Sequence, residues 1–429
     1  MLALTLFGIF FAIALAGVPL LYSILITTTG IIALQGLGHP LETIFLSFIG
    51  GVEPFILLAV PLFIFAGELL AQGGVGKRIV EFARVLFGWL PGGLGVVTVI
   101  SCTLFGGVSG SAIADTAAIG SLVIPAMVAR GYSRGFAAAL LAVAGTVALL
   151  MPLSIPFLVY AFISGVSMRT LSMAGLLPAL ATAAALIVMC MWHGKKSGVD
   201  NGEDRSTPAQ IRAAAKDAGP ALLMPLIIVG GIWSGKFTPS ESAAVAVFYG
   251  LAVSLFYYKD LSWRHIPQLM LNAFSTSATV MLVIGATGAM AWLITVEQVA
   301  VQMAEWIQLV ATEQWMFLIL FNICLLLLGI FIEPLPAMLL SAPLFLPLAK
   351  HFGMDMVHVG VVMTANLAIA LYTPPVGGTL FVAAKLAHAG IGEITRHLWP
   401  LMAATFTVVL LITYVPALST WLPRFIQSL

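Results

Sequence analysis

The sequence predicts an all-α polytopic membrane protein built around a duplicated unit, and three observations lead there. Of its 429 residues, 61% are hydrophobic and only 8% are charged, whereas soluble domains carry about 25% charged residues. The apolar residues fall in helix-length runs, not in the ~10-residue alternating segments of a membrane barrel. Clusters of glycine, serine and proline that would break a helix recur inside those runs, in the same order, twice. The balance of 18 basic against 17 acidic residues gives a net charge of +1, which offers no basic surface to nucleic acid.

Taken in order, apolar runs occupy residues 2–34, 54–71, 92–105, 112–129, 136–164, 171–192, 219–258 (split near Ser234–Pro239) and 266–296. They continue at 299–311, 314–332, 335–349, 356–388 and 398–418. The first run contains no Lys or Arg, so the basic segment of a signal peptide is missing and a retained first helix is expected. The one long polar linker, His193 to Asp217, carries Lys195, Lys196, Arg205, Arg212 and Lys216. Basic short loops mark the cytoplasmic side, which assigns this linker and the Lys77, Arg78, Arg84 cluster there. Glu42, Glu53, Glu68, Glu297, Glu305 and Glu313 lie in stretches free of basic residues and read as outer-side markers. Cys102, Cys190 and Cys324 show no paired spacing and read as small buried hydrophobes.

The stretch Gly106-Gly107-Val108-Ser109-Gly110-Ser111-Ala112-Ile113-Ala114-Asp115 stands out because irregular backbone at membrane depth survives only under protein cover or beside a wet cavity. Two later runs are also interrupted. One holds Met151-Pro152-Leu153-Ser154-Ile155-Pro156 and the other Tyr372-Thr373-Pro374-Pro375-Val376-Gly377-Gly378. Paired prolines remove hydrogen bonds and clash with the preceding turn, so each reads as a helix unwound within the membrane. A displacement of 222 residues superposes the features: Gly107 on Gly329, Pro125 on Pro347, Gly131 on Gly353, Ala148 on Ala370, Pro152 on Pro374, Leu158 on Leu380 and Ala161 on Ala383. Each unit therefore reads as a re-entrant hairpin, a helix, and a helix broken in the middle. The second hairpin tip falls at Gly329-Ile330-Phe331-Ile332-Glu333-Pro334-Leu335-Pro336.

Paired, interrupted segments in corresponding halves point to the binding site of a secondary transporter. Half-helix N-termini present N–H groups to anions, while unwound carbonyls suit Na⁺. The expected organisation is N-terminal scaffold helices over 1–90, a first transport repeat over 91–170 and scaffold helices with the linker over 171–310. A second transport repeat then covers 311–390, followed by a C-terminal helix over 391–429.

Val60-Pro61-Leu62-Phe63-Ile64-Phe65-Ala66-Gly67-Glu68, the Gly106–Asp115 stretch, and Ile124-Pro125-Ala126-Met127 with Arg130-Gly131-Tyr132 resemble the DctM-like large membrane subunit of TRAP (tripartite ATP-independent periplasmic) transporters. So do Phe237-Thr238-Pro239-Ser240-Glu241-Ser242-Ala243-Ala244 and the segment from Asn366 to Gly377. The resemblance spans about residues 54–390. It implies an elevator fold of the ion-transporter-superfamily type and Na⁺-coupled import of a small organic acid such as a C4-dicarboxylate or sialic acid. It also implies a small Q-type membrane subunit, a periplasmic P-type substrate-binding protein and a place in the bacterial inner membrane. No cofactor is implied beyond Na⁺ as coupling ion.

Carried over residue by residue, the first Na⁺ site falls on Ser109, Gly110 and Ser111 with Ala148, Met151 and Leu153. The second falls on Gly329, Ala370, Thr373 and Val376, and substrate contacts fall on Ser111, Asp115, Ser154 and Glu333. The chain departs from the family pattern at Ala148 and Ala370, where glycine is usual, and at Leu153, where a second proline is usual. If the ions need left-handed backbone at the two alanines, those sites are strained.

Plainer roles stand beside these. Ser109 and Ser111 can bond back to helix carbonyls, Asp115 can cap the following helix, Glu333 can sit at an interface, and Thr373 can satisfy freed backbone. His351, His358 and His388 lie near predicted helix ends or loops and read as interfacial, and Arg169 as a loop or snorkelled position. Gly92-Gly93-Leu94-Gly95 lacks the strand and Gly-Lys-Ser/Thr of a phosphate loop. Gly107-Val108-Ser109-Gly110 matches the signature of an intramembrane serine protease, but no histidine has an obvious place at membrane depth to serve as its base, so no enzyme is expected. A stand-alone Na⁺-coupled carrier is the alternative transporter reading.

Overall fold

The computed structural model describes residues 2–35, 38–299, 302, 312–374 and 377–428. Among them, helices are the only regular elements. The first apolar run forms two helices, α1 (Leu2–Leu15) and α2 (Leu20–Gln35). The sequence reads as one run there; Gly17 at φ +88 and Pro19 two residues later break it. Then come α3 (Leu41–Val52), a 3₁₀ turn at Phe55–Leu58, α4 (Ala59–Gln72) and α5 (Val75–Phe87).

The first repeat comprises α6 (Gly93–Ser109), α7 (Ala112–Ala129), α8 (Arg134–Gly145) with a 3₁₀ turn over Thr146–Leu150, and α9 (Ile155–Ser164). The long helices α10 (Met168–Ser197) and α11 (Pro208–Trp233) follow, then the shorter α12 (Pro239–Ala252) and the long α13 (Ile266–Val296). The non-helical part of the linker is only 198–207, shorter than the polar composition of 193–217 suggested. Run 299–311 lies almost wholly outside the described residues. The second repeat is α14 (Gln314–Phe331), α15 (Pro334–His351), α16 (Met356–Ala370) and α17 (Gly378–Ala387). Helices α18 (Ile391–Tyr414) and α19 (Ala417–Gln427) close the described chain.

The repeat is visible element by element. Helices α7 and α15 start at 112 and 334 and end at 129 and 351, and α8 and α16 start at 134 and 356. All three pairs keep the 222-residue displacement. Packing is reciprocal as well: α7 lies against α17, and its counterpart α15 lies against α9, the counterpart of α17. Swapping the two repeats leaves these contacts unchanged, as a pseudo-two-fold axis requires.

Both breaks are real interruptions. Ser154 restarts the helix as N-cap of α9 by accepting from the Phe157 N–H at 3.3 Å, with Pro156 in the first turn where its missing N–H costs nothing. After Ala370 the chain leaves the helix at Leu371–Pro374 and re-enters at Gly378. The Arg134–Ser164 span has 94% of its most apolar window buried within the chain, against 28% for Pro208–Trp233. The broken helix is thus surrounded by protein, where its freed backbone groups can be partnered, whereas α11 leaves most of its apolar window on the outside of the chain.

Candidate functional site

Hairpin 1 turns at Gly110, whose φ of +60 and ψ of +11 close α6 in the left-handed region. A Cβ there would lie 2.4 Å from the Leu153 carbonyl oxygen and 3.1 Å from Ser154 Cα, so the tip rests on the unwound backbone. The Ile155 N–H donates to the Gly110 carbonyl at 3.5 Å across the same contact. Deeper in the hairpin, a Cβ on Gly106 would meet Ala148 Cα at 2.7 Å and Asp115 Oδ2 at 2.8 Å.

The second repeat repeats the approach. A Cβ on Gly329 would meet the Ala370 methyl at 2.5 Å. Ala148 sits in a 3₁₀ turn and Ala370 ends α16. Neither has a positive φ, so neither departure from glycine strains the backbone.

Asp115 is fully buried. Its Oδ1 accepts from the Ser109 hydroxyl, whose oxygen in turn accepts from the Ser111 N–H at 3.2 Å. Asp115 Oδ2 has no partner among the described residues. A sealed carboxylate oxygen without a donor is costly, and its position between hairpin 1 and the Ala148 turn suits a cation. Ser111 accepts weakly from the Ala114 N–H at 3.4 Å as N-cap of α7. At the second break Thr373 donates its hydroxyl to the Ile369 carbonyl at 2.8 Å, leaving its oxygen free to accept. Val376 lies outside the described residues.

The two tips meet in one cavity of about 410 Å³. Ser109, Gly110, Ser111 and Ile113 line it from hairpin 1; Glu333, Pro334 and Leu335 from hairpin 2; Leu149, Ile155 and Leu371 from the two breaks. Glu68 and Ile64 of α4 and Thr276 of α13 form the opposite wall. Asp115, Ser154, Ala148, Met151, Leu153, Gly329, Ala370 and Thr373 sit behind that lining and not on it. Glu68 read as an outer-side marker from sequence, although an ionisable residue inside an apolar run is itself a sign of function. No histidine bonds Ser109 among the described residues; its partners are Asp115 and the Ser111 N–H. His358 is buried, not interfacial, bonding Ser419 at 2.8 Å and the Thr413 carbonyl at 3.2 Å.

A second polar cluster, missed in the sequence, fixes the base of hairpin 1. Asp200 from the linker is buried and accepts from the Leu94 N–H at 2.9 Å and the Tyr132 hydroxyl at 3.1 Å, while its carbonyl accepts from Gly92 at 2.7 Å. It caps α6 from 106 residues away. Burial, and then the Asp200 carboxylate, push the Tyr132 phenol well above its ordinary range. Glu203 bridges Arg84 and Arg130, which ties the linker to α5 and to the end of α7.

Comparison with known proteins places the chain in a family. The family model described as "Tripartite ATP-independent periplasmic transporter, DctM component" matches residues 7–418. The chain is 36% identical over 439 residues to a C4-dicarboxylate TRAP transporter large permease protein of Rhodobacter capsulatus, covering 99% of each. It is 36% identical over 376 residues to a sialic acid TRAP transporter large permease protein of Vibrio cholerae, covering 88% of each. Among solved structures it is similar in fold to the Alcanivorax borkumensis YdaH transporter, with a TM-score of 0.53 and 15% identity, covering 99% of this chain and 98% of that one.

Proposed function

This chain belongs to the DctM-component family of tripartite ATP-independent periplasmic transporters, and from that premise we propose that it is the large permease subunit of a Na⁺-coupled importer of small organic acids. The observation that carries the reading is the convergence of both hairpin tips and both breaks on one cavity between α4 and α13. The relatives' names, with C4-dicarboxylate and sialic acid as their substrates, support a carboxylate cargo.

In this reading Na⁺ binds behind the lining. The first ion takes the Ser109–Ser111 tip and the Ala148, Met151 and Leu153 carbonyls, with Asp115 supplying the balancing charge. The second takes Gly329, Ala370, Thr373 and Val376. Each ion ties a hairpin to its own broken helix, so the tip holds its shape only while the ion is present. The cargo carboxylate then meets the α7 N-terminus at Ser111, where free N–H groups and the helix dipole favour an anion. Binding order follows from this: ions first, then cargo. The two repeats slide as one body against α4, α11, α12 and α13, carrying the cavity from one face to the other. A small membrane subunit and a periplasmic binding protein complete the importer in the bacterial inner membrane.

The test is uptake into vesicles holding this chain together with a small membrane subunit and a periplasmic binding protein of the same family system. Uptake of the binding protein's cargo should collapse when the Na⁺ gradient is removed. Uptake that persists without Na⁺ contradicts the proposal.

A further inference from the structure

The two hairpin tips are related by the repeat yet chemically opposite. The 222-residue displacement places Ser111 on Glu333, and Ala112 and Ala114 on Pro334 and Pro336. Ser111 opens α7 with free N–H groups, whereas α15 opens behind a glutamate with two of its first three residues lacking an N–H altogether. One tip therefore receives an anion, and the other presents an acceptor. On the facing wall Glu68 adds a second carboxylate.

Neither Glu68 nor Glu333 has a side-chain hydrogen bond or ion pair with any described residue. No Lys, Arg or His is among the described residues lining the cavity. A purely anionic cargo would face these two carboxylates with no basic side chain in the lining to pair with it, whereas a cargo bearing a donor would find two acceptors waiting.

Building on the carrier reading above, we propose that Glu68 and Glu333 make the cavity selective for bipolar acids. Such a cargo has a carboxylate at one end and an ammonium or hydroxyl donor at the other, and Glu68 is the residue that determines specificity on the wall. Hairpin 1 takes the carboxylate. Glu68 and Glu333 take the donor and reject a bare diacid of the same length, whose second carboxylate would sit where the donor belongs. A cavity of about 410 Å³ lies within the roughly 300–1,000 Å³ typical of small-molecule sites.

Two thiol reagents of similar size and opposite charge test this on the intact chain. Thr276 is replaced by Cys on the cavity wall, and Cys324, the one native cysteine that is not buried, by Ser. The purified protein is then treated in Na⁺ buffer with 2-(trimethylammonium)ethyl and 2-sulfonatoethyl methanethiosulfonate. Relative to a free thiol, the cationic reagent should be favoured about tenfold, and Glu68→Gln with Glu333→Gln should return the ratio to the free-thiol value. A free-thiol ratio in the unmodified cavity, or a preference for the sulfonate, overturns the inference and leaves the carrier reading standing. No reaction with either reagent means the cavity does not open to solutes, and both readings fall together.

Discussion

Replacing Gly110 by alanine should disable the first ion site without unfolding the protein. Two costs arise. An alanine at φ +60 is disfavoured by about 1–2 kcal/mol. Its methyl would also lie 2.4 Å from the Leu153 carbonyl oxygen, roughly 1 Å inside the normal carbon–oxygen contact. Backbone must shift by about that much, and ion ligands tolerate only ~0.2 Å. A 1 Å error at a working site can cost about a hundredfold.

Gly165→Ala isolates the first cost, because Gly165 also closes a helix in the left-handed region at φ +71 but has nothing within 4 Å of the added methyl. Gly165→Ala should remain folded in detergent with little change, since about 1–2 kcal/mol is small beside a stability of roughly 5–15 kcal/mol, and Gly110→Ala, which adds the backbone clash, should still fold but melt at a lower temperature. In Na⁺-driven uptake, Gly165→Ala should behave as the parent and Gly110→Ala should need at least tenfold more Na⁺ for half-maximal rate. If the two variants are indistinguishable, the tip does not shape an ion site.

Three further outcomes are expected. Asp115→Asn should leave the fold intact and weaken Na⁺ dependence of uptake by about tenfold, because it removes the charge and keeps the shape; an unchanged half-maximal Na⁺ would exclude Asp115 as a ligand. Asp200→Ala should lower stability by about 2–4 kcal/mol, from a lost cap and a buried Leu94 N–H left unpaired. Arg130, more than a third exposed, adds little to that figure. Denaturation in detergent should show the loss while Na⁺ affinity stays put, and an unaltered midpoint would refute the capping role. Spin labels on the exposed Ser121 of α7 and Thr279 of α13 should show two distance populations whose balance shifts with Na⁺. A single fixed distance would speak against sliding of the repeats.

Much of the architecture was legible because its signals are local. Pro152, Pro374 and the flanking glycines disrupt helices whatever their surroundings, so the duplication could be read directly from residue identities. Helices α5 and α19 escaped as apolar runs because they carry a polar face beside an apolar one, as with Lys77, Arg78, Glu81 and Arg84 on α5, and α3 because its apolar stretch is only 12 residues long and ends in Gly50-Gly51-Val52. The site was legible in its tips and breaks and not in its wall. Glu68 faces the cavity only because α4 packs beside hairpin 1, where Gly67 lies within van der Waals reach of Ser109. The Asp200 cap joins residues 106 positions apart, and no periodicity carries that information. The alanines at 148 and 370 posed a question about backbone strain that only dihedral angles could answer, and their ordinary φ values answer it.

The most direct test of the central claim is the number of Na⁺ ions bound by the purified chain, counted with ²²Na⁺ in the parent and in Gly110→Ala and Gly329→Ala. The account predicts two ions in the parent and one in each variant, because a methyl at either glycine pushes a hairpin off its own broken helix. No bound Na⁺ in the parent, or two ions retained in both variants, would contradict it.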